Sequence, residues 1–272
     1  MSGRYEAMFA RLAARSEIGF VPFLVLGDPD FDTSLELVKT LAASGADAVE
    51  LGLPFSDPIA DGPVIQAAAG RALSAGVTRR RCWEIVARVR SDFPDLPIGL
   101  LVYANLVMGR SGEGFHPAAA AAGVDSVLVA DLPLLEAGPV HDQARRHGLA
   151  PVLIAPPNAS GERLMRIARE SEAFVYVTSR PGVTGADQRL HQDGARVITS
   201  LRTAGARPPL LGFGIAHPPH VIQARALGAA GAISGSAVVR RVADHLGRAE
   251  SMVEAVASFV GSMKSATRSE PG

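Results

Sequence analysis

The chain has 272 residues, 27 basic and 27 acidic side chains, and a 47% hydrophobic composition. Zero net charge gives no basic excess to suggest a nucleic-acid surface, no polybasic run argues for anionic lipid, and no apolar stretch reaches the roughly 20 residues that a membrane helix needs. A single cysteine, Cys82, excludes an internal disulfide and a cysteine-built metal cage.

The start, M-S-G-R-Y-E-A-M-F-A-R-L, is amphipathic and charged rather than a secretion signal, so a cytoplasmic location is expected. Residues 3–14 read as a helix with Met8 and Leu12 on one face. The run 19–27, G-F-V-P-F-L-V-L-G, reads as a buried strand and turn, and a helical pattern follows over 33–43. Further strands are expected at 47–52, 97–105, 126–131, 150–155, 174–179, 209–214 and 231–235, which makes eight. Helical segments lie between them at 79–92, 115–122, 136–147, 160–171, 193–204 and 218–227, with a last one from Ala237 to about Met263. Gly45, Gly123, Gly148, Gly205 and Gly228 stand where a helix takes its left-handed closing residue.

Strands so uniformly apolar belong to a parallel sheet covered by helices. Eight consecutive strand-helix units without a composition break predict an α/β fold, a single (β/α)8 barrel over residues 1–264 with an extra N-terminal helix. Residues 265–272 read as a disordered tail. No G-x-G-x-x-G opens a helix after the first strand, which speaks against an open dinucleotide-binding sheet. Arg79–Arg81 read as a solvated helix face, Cys82 as structural, and the His217/His220 pair as a helix start rather than a metal site.

A barrel carries its chemistry at the C-terminal ends of its strands, and the unusual residues cluster there. In the second strand Glu50 shares a face with Ala48 and Gly52, so it projects into a crowded interior, and the loop beyond it holds Asp57 and Asp61. Gly212, Gly214 and Gly235, next to a helix start at Ser236, fit a phosphate site built from the last two loops, with Gly182 and Gly185 as a lid-like addition. The same glycines also fit plain tight turns. A carboxyl in an apolar wall tends to a raised pKa and can shuttle a proton, whereas one in a polar loop stays ionised. Glu50 and Asp61 therefore suit acid-base chemistry without a metal; alternatively Glu50 is a buried anchor paired with a tyrosine or arginine.

The stretch V-E-L-G-L-P-F-S-D-P-I-A-D-G-P-V-I-Q closely resembles the signature of the tryptophan synthase alpha subunit family. V-Y-A-N-L-V, D-S-V-L-V-A-D-L-P, A-P-P-N-A, T-S-R-P-G-V-T-G, G-F-G-I and G-A-I-S-G-S-A resemble it too, in order, from about residue 4 to 248. The resemblance implies retro-aldol cleavage of indole-3-glycerol phosphate to indole and glyceraldehyde 3-phosphate. It gives Glu50 the proton movements at indole C3 and the glycerol hydroxyl, Asp61 the indole N–H, and Tyr176 a place beside the acid. Phe23, Leu101, Leu128 and Phe213 match the apolar wall; Gly185, Gly214, Gly235 and Ser236 match the phosphate contacts; Thr184 matches the threonine that closes over Asp61.

The family uses no metal and no cofactor in this chain, with pyridoxal phosphate expected only in a beta subunit, and an α2β2 assembly whose contacts match Pro54 and Asp57. Two departures stand out, Pro181 in the lid and the glycine-rich segment 108–114. Two other readings remain: a stand-alone lyase that releases indole to a specialised pathway, and a mainly regulatory partner of a beta subunit.

Overall fold

The structure is a computed structural model and describes residues 3–112, 114–178, 189–212 and 214–268. Its strands are β1 (Gly19–Val25), β2 (Val49–Gly52), β3 (Ile98–Val102), β4 (Ser126–Val129), β5 (Ala150–Pro151), β6 (Leu153–Ala155), β7 (Val175–Thr178), β8 (Pro209–Gly212) and β9 (Gly231–Ser234). Every pairing is parallel, in the order β5-β4-β3-β2-β1-β9-β8-β7-β6. β5 and β6 are two halves of the expected fifth strand. The first pairs with β4 and the second with β7, so the ring closes through residues 150–155. The change of partner interrupts the ladder at Val152, directly after Pro151, which has no N–H to donate.

Other elements differ from expectation. A helix at Pro63–Ser74 stands where the sequence reads as loop; Gly62 precedes it and Pro63 opens it, a favoured first helical residue. The long last helix is two, Ser236–Asp244 and Ala249–Ser265, parted at Gly247, whose φ of +76° a helix interior excludes. The tail expected to be disordered from 265 is ordered through its first residues. Thr267 is fully buried, and its carbonyl accepts from the Ile18 N–H, tying the chain end to the start of β1. A short helical turn at Ala104–Val107 precedes the glycine-rich segment and a second, Gly109–Gly112, lies within it; a Cβ on Gly112 would stand 2.1 Å from the Val107 carbonyl carbon.

The apolar interior has two shells. The outer one lies between sheet and helices, and the inner one fills the barrel with Val21, Ala48, Leu128, Val152, Tyr176, Leu210 and Ile233. Tyr5, Met8 and Leu12 join the inner shell from helix Gly3–Ala14, which stoppers the N-terminal mouth. Each such side chain stabilises the fold by about 1.5–3 kcal/mol of burial. The Tyr5 hydroxyl bonds Ser126 Oγ at 3.0 Å, and Gly99 leaves room for it, since a Cβ there would stand 3.0 Å from that hydroxyl. The opposite, C-terminal mouth is not covered by this helix.

Cys82 is fully buried and its thiol is pushed up to about 12 by burial, as a structural cysteine requires. His217 stands at the N-cap position of helix Pro218–Ala226 without a side-chain capping bond, and His220 Nδ1 accepts from the Ala216 N–H at 3.1 Å. Arg80 is solvated as expected, but Arg81 lies 3.7 Å over the Phe31 ring.

One buried ionic hub holds the stoppered end. Asp125 accepts from Arg90 Nη2 at 2.7 Å, Arg4 Nη1 at 2.8 Å and the Ile98 N–H at 2.8 Å, while Arg90 also donates to the Gly123, Phe93 and Leu96 carbonyls. Asp125→Ala strands the Arg90 charge and the Ile98 N–H, and is expected to lower stability by about 3–5 kcal/mol. A urea titration reads it as a lower midpoint at an unchanged slope. A loss below about 1 kcal/mol would show that water replaces the carboxylate without difficulty.

Candidate active site

Strand register builds the site from below. Phe23 of β1 pairs with Glu50 of β2, which pairs with Gly99 of β3; one step nearer the mouth, Gly52, Leu101 and Leu128 stand side by side. Glu50 is thereby aimed into the barrel and is 3% exposed. Burial first, and the Asp61 charge second, push its carboxyl up to about 8. Among the described residues no hydrogen bond or ion pair joins it to an arginine, and its tyrosine neighbours are Tyr176 and Tyr5, whose phenols are pushed up by burial and further by its charge. Near neutral pH it is a protonated acid held where charge is disfavoured.

Asp61 is half-buried in the loop after β2. Burial raises its carboxyl above the usual range, and a hydrogen bond from the Tyr103 hydroxyl opposes the rise. Tyr103, at the end of β3, was not among the expected site residues. It accepts from the Ala60 N–H at 3.2 Å and stacks on Phe55 at 5.3 Å between ring centres, so it holds both ends of the acid loop. A phenol at the C-terminal end of a barrel strand was the signal available in the sequence. The turn after β3 is fixed in its own right, since the Ala104 N–H donates to Asp131 Oδ1 at 2.7 Å.

Tyr176 rises from β7, and burial followed by the charges of Glu50 and Asp61 pushes its phenol far up. The three groups therefore share one electrostatic neighbourhood. A Cβ on Gly212 would stand 2.3 Å from the Tyr176 ring and hydroxyl, so this glycine makes room for the tyrosine. Gly52 does the same for Phe23, whose ring edge would lie 2.8 Å from an added Cβ. Phe23 and Leu128 are buried and Leu101 half-buried along this wall.

Gly235 follows β9 directly and precedes helix Ser236–Asp244, whose N-terminus carries the positive end of the helix dipole. An added Cβ on Gly235 would meet Phe23 and Ile65 at ordinary contact distance, so this glycine packs against the apolar wall without excluding a methyl group. Gly214 has a φ of +78°, which an L side chain resists. Thr184, Gly185 and Phe213, with Pro181 and Gly182, lie outside the described residues. Pro54 is half-buried and Asp57 exposed on the rim, where Ser56 Oγ donates to the Asp57 carboxylate. Among the described residues no group of three histidine, cysteine or acidic side chains is placed to hold a metal.

The chain is 49% identical over 266 residues to the tryptophan synthase alpha chain of Shewanella baltica, covering 98% of this chain and 97% of that one. An Escherichia coli tryptophan synthase alpha chain is 50% identical over 98% of this chain and 99% of its own. Among solved structures, tryptophan synthase subunit alpha from Legionella pneumophila superposes with a TM-score of 0.87 at 28% identity, covering 97% and 98% of the two chains. A chain of the Pyrococcus furiosus tryptophan synthase α2β2 complex gives 0.82 at 34%, covering 91% and 98%. The family model for the tryptophan synthase alpha chain matches residues 9–268, and the chain belongs to that family.

Proposed function

We propose that the chain is the alpha subunit of a tryptophan synthase and cleaves indole-3-glycerol phosphate to indole and glyceraldehyde 3-phosphate. The observation that carries the reaction is the buried Glu50 carboxyl, raised to about 8 beside Asp61. The phosphate sits at Gly214, Gly235 and the Ser236 helix end, with Gly185 completing it, and the indole ring lies along Phe23, Leu101, Leu128 and Phe213. Protonated Glu50 gives its proton to indole C3, and the Asp61 carboxylate stabilises the positive charge then shared by the ring nitrogen. Glu50, now a carboxylate, takes the proton of the glycerol hydroxyl next to the ring. The hydroxyl oxygen closes to the aldehyde, the C–C bond breaks, and its electron pair restores the aromatic indole. Glu50 ends protonated, ready for the next turnover, and Tyr176 fills the space beside it.

No step needs a cofactor in this chain; pyridoxal phosphate belongs to the beta subunit. The docking face is the rim around Pro54 and Asp57. Ile59 at 80%, Met108 at 45% and Leu135 at 80% exposure lie in the loops after β2, β3 and β4, a run of apolar side chains along one side of the mouth that suits a protein partner. The Pyrococcus furiosus relative forms an α2β2 complex with mutual activation, and the same assembly in the cytoplasm is proposed here.

Indole release by the purified chain, with and without a tryptophan synthase beta subunit, tests the reading. Slow turnover that rises steeply with the partner is the expected result. Fast, partner-independent turnover would mark a self-sufficient indole lyase, and no turnover in either case would leave a regulatory subunit.

A further inference from the structure

Helix Pro63–Ser74 follows directly on the Asp61 loop and is tied to it. Gln66 Nε2 donates to the Asp61 carbonyl at 2.8 Å, and the Gln66 N–H donates to the Gly62 carbonyl at 3.0 Å. Further along the same helix, Arg71 grips Asp28 with a two-pronged pair, Nε to Oδ1 at 2.7 Å and Nη2 to Oδ2 at 2.8 Å. Asp28 is 1% exposed and stands just beyond β1. Its backbone is fixed without the pair, because the Asp28 N–H donates to the Val25 carbonyl and the Gly27 N–H to Ser34 Oγ at 2.8 Å. The anchor is thus held in the turn at the end of β1, whereas the helix it holds follows the acid loop. On its other flank the helix sets Ile65 against Gly235, at the phosphate end.

A buried pair of this kind is weak as a stabiliser, since both charges lose water, but its planar fork admits one geometry. We propose that Asp28 and Arg71 are positioning residues for the cleavage reaction: their pair seats helix Pro63–Ser74 so that Gln66 holds the Asp61 backbone, and with it the carboxylate, in its place facing Glu50. The inference rests on the reaction proposed above. It gives no contact with substrate to either residue.

The test uses Arg71→Lys, which keeps the charge and loses the fork, together with Asp28→Asn and Gln66→Ala. A misplacement of about 1 Å can lower a rate by about a hundredfold, so each variant is expected to lower kcat about tenfold or more while KM stays within about threefold. Leu73→Ala, an exposed residue of the same helix, serves as the control with unchanged kcat. The Gln66 side-chain amide resonance, read by NMR without substrate, is expected to move in Arg71→Lys and Asp28→Asn. An unmoved amide in both overturns the seating by the pair, and wild-type kcat in Gln66→Ala overturns the route to Asp61. Gln66 is an exposed side chain, so that variant folds even if a change at the buried pair does not. Failure of the unaltered chain to release indole counts against the proposed reaction, while the amide signal still tests the seat.

Discussion

Glu50→Gln is expected to lower indole release by at least about a thousandfold and, in the same molecule, to make the fold more stable in alkaline solution. The first effect follows from Glu50 acting twice, as acid at the ring carbon and as base at the hydroxyl, where a single positioned proton donor contributes about 10²–10⁴. An amide of the same shape can do neither. The second follows from burial. The folded-state pKa of about 8 lies above the ordinary 4.5 of a glutamate. An acid raised on folding binds more protons in the folded state than in the unfolded one, so its contribution is full below pH 4.5, is lost as pH rises to about 8, and is constant beyond. A shift of that size corresponds to about 5 kcal/mol as an upper bound. Glutamine does not titrate, so urea midpoints of the two proteins should converge toward pH 4.5 and diverge toward pH 9, with the variant the more stable. Parallel pH curves would mean that Glu50 is charged in the folded protein, and near-wild-type turnover would remove it from the chemistry.

The barrel was legible because buried parallel strands leave near-continuous apolar runs, and helix ends leave glycines such as Gly45 and Gly123. What escaped depends on events across the chain. Pro151 marks a break in a ladder, but nothing local says that the strand changes partner there from β4 to β7. Helix Pro63–Ser74 was hidden because the polar loop before it runs on without a break into Pro63, and its alanines carry no strong helical stripe. Glu50 was conspicuous for a general reason, an acid among small and apolar residues in a strand. Its partners were less so. Tyr103 lies 42 residues after Asp61, and Arg71 lies 43 residues from Asp28, separations over which only the folded ring brings side chains together. Gly212 carried another lesson: its place in a glycine-rich loop suggested phosphate, and the Tyr176 ring gives a separate reason for a glycine there that the sequence did not show. The indole and the phosphorylated triose came from family resemblance, since two acids in a barrel mouth name a type of catalysis and not a substrate.

Asp61→Asn separates the two acids. Asparagine keeps the size of the side chain and can still meet the Tyr103 hydroxyl, so the loop stays in place and KM should change little. The lost charge is the one that balances the cationic ring nitrogen. Removing one such preorganised partner typically lowers kcat by about 10²–10³, or about 2.7–4 kcal/mol. The same substitution acts on Glu50. Burial is the larger cause of its raised pKa and the Asp61 charge the second, so a neutral amide in place of that charge should let Glu50 ionise at a lower pH while leaving it above an ordinary glutamate. The stability of Asp61→Asn should then stop falling at a lower pH than that of the wild type. The residual rate, which needs Glu50 protonated at the start, should begin to drop at that lower pH too. A rate deficit with both bends left near pH 8 would mean that Asp61 meets the substrate but not the electrostatics of its neighbour. A shift in both would tie the two carboxyls into one proton-transfer unit, in which the loop acid also sets the pH range over which the buried acid works.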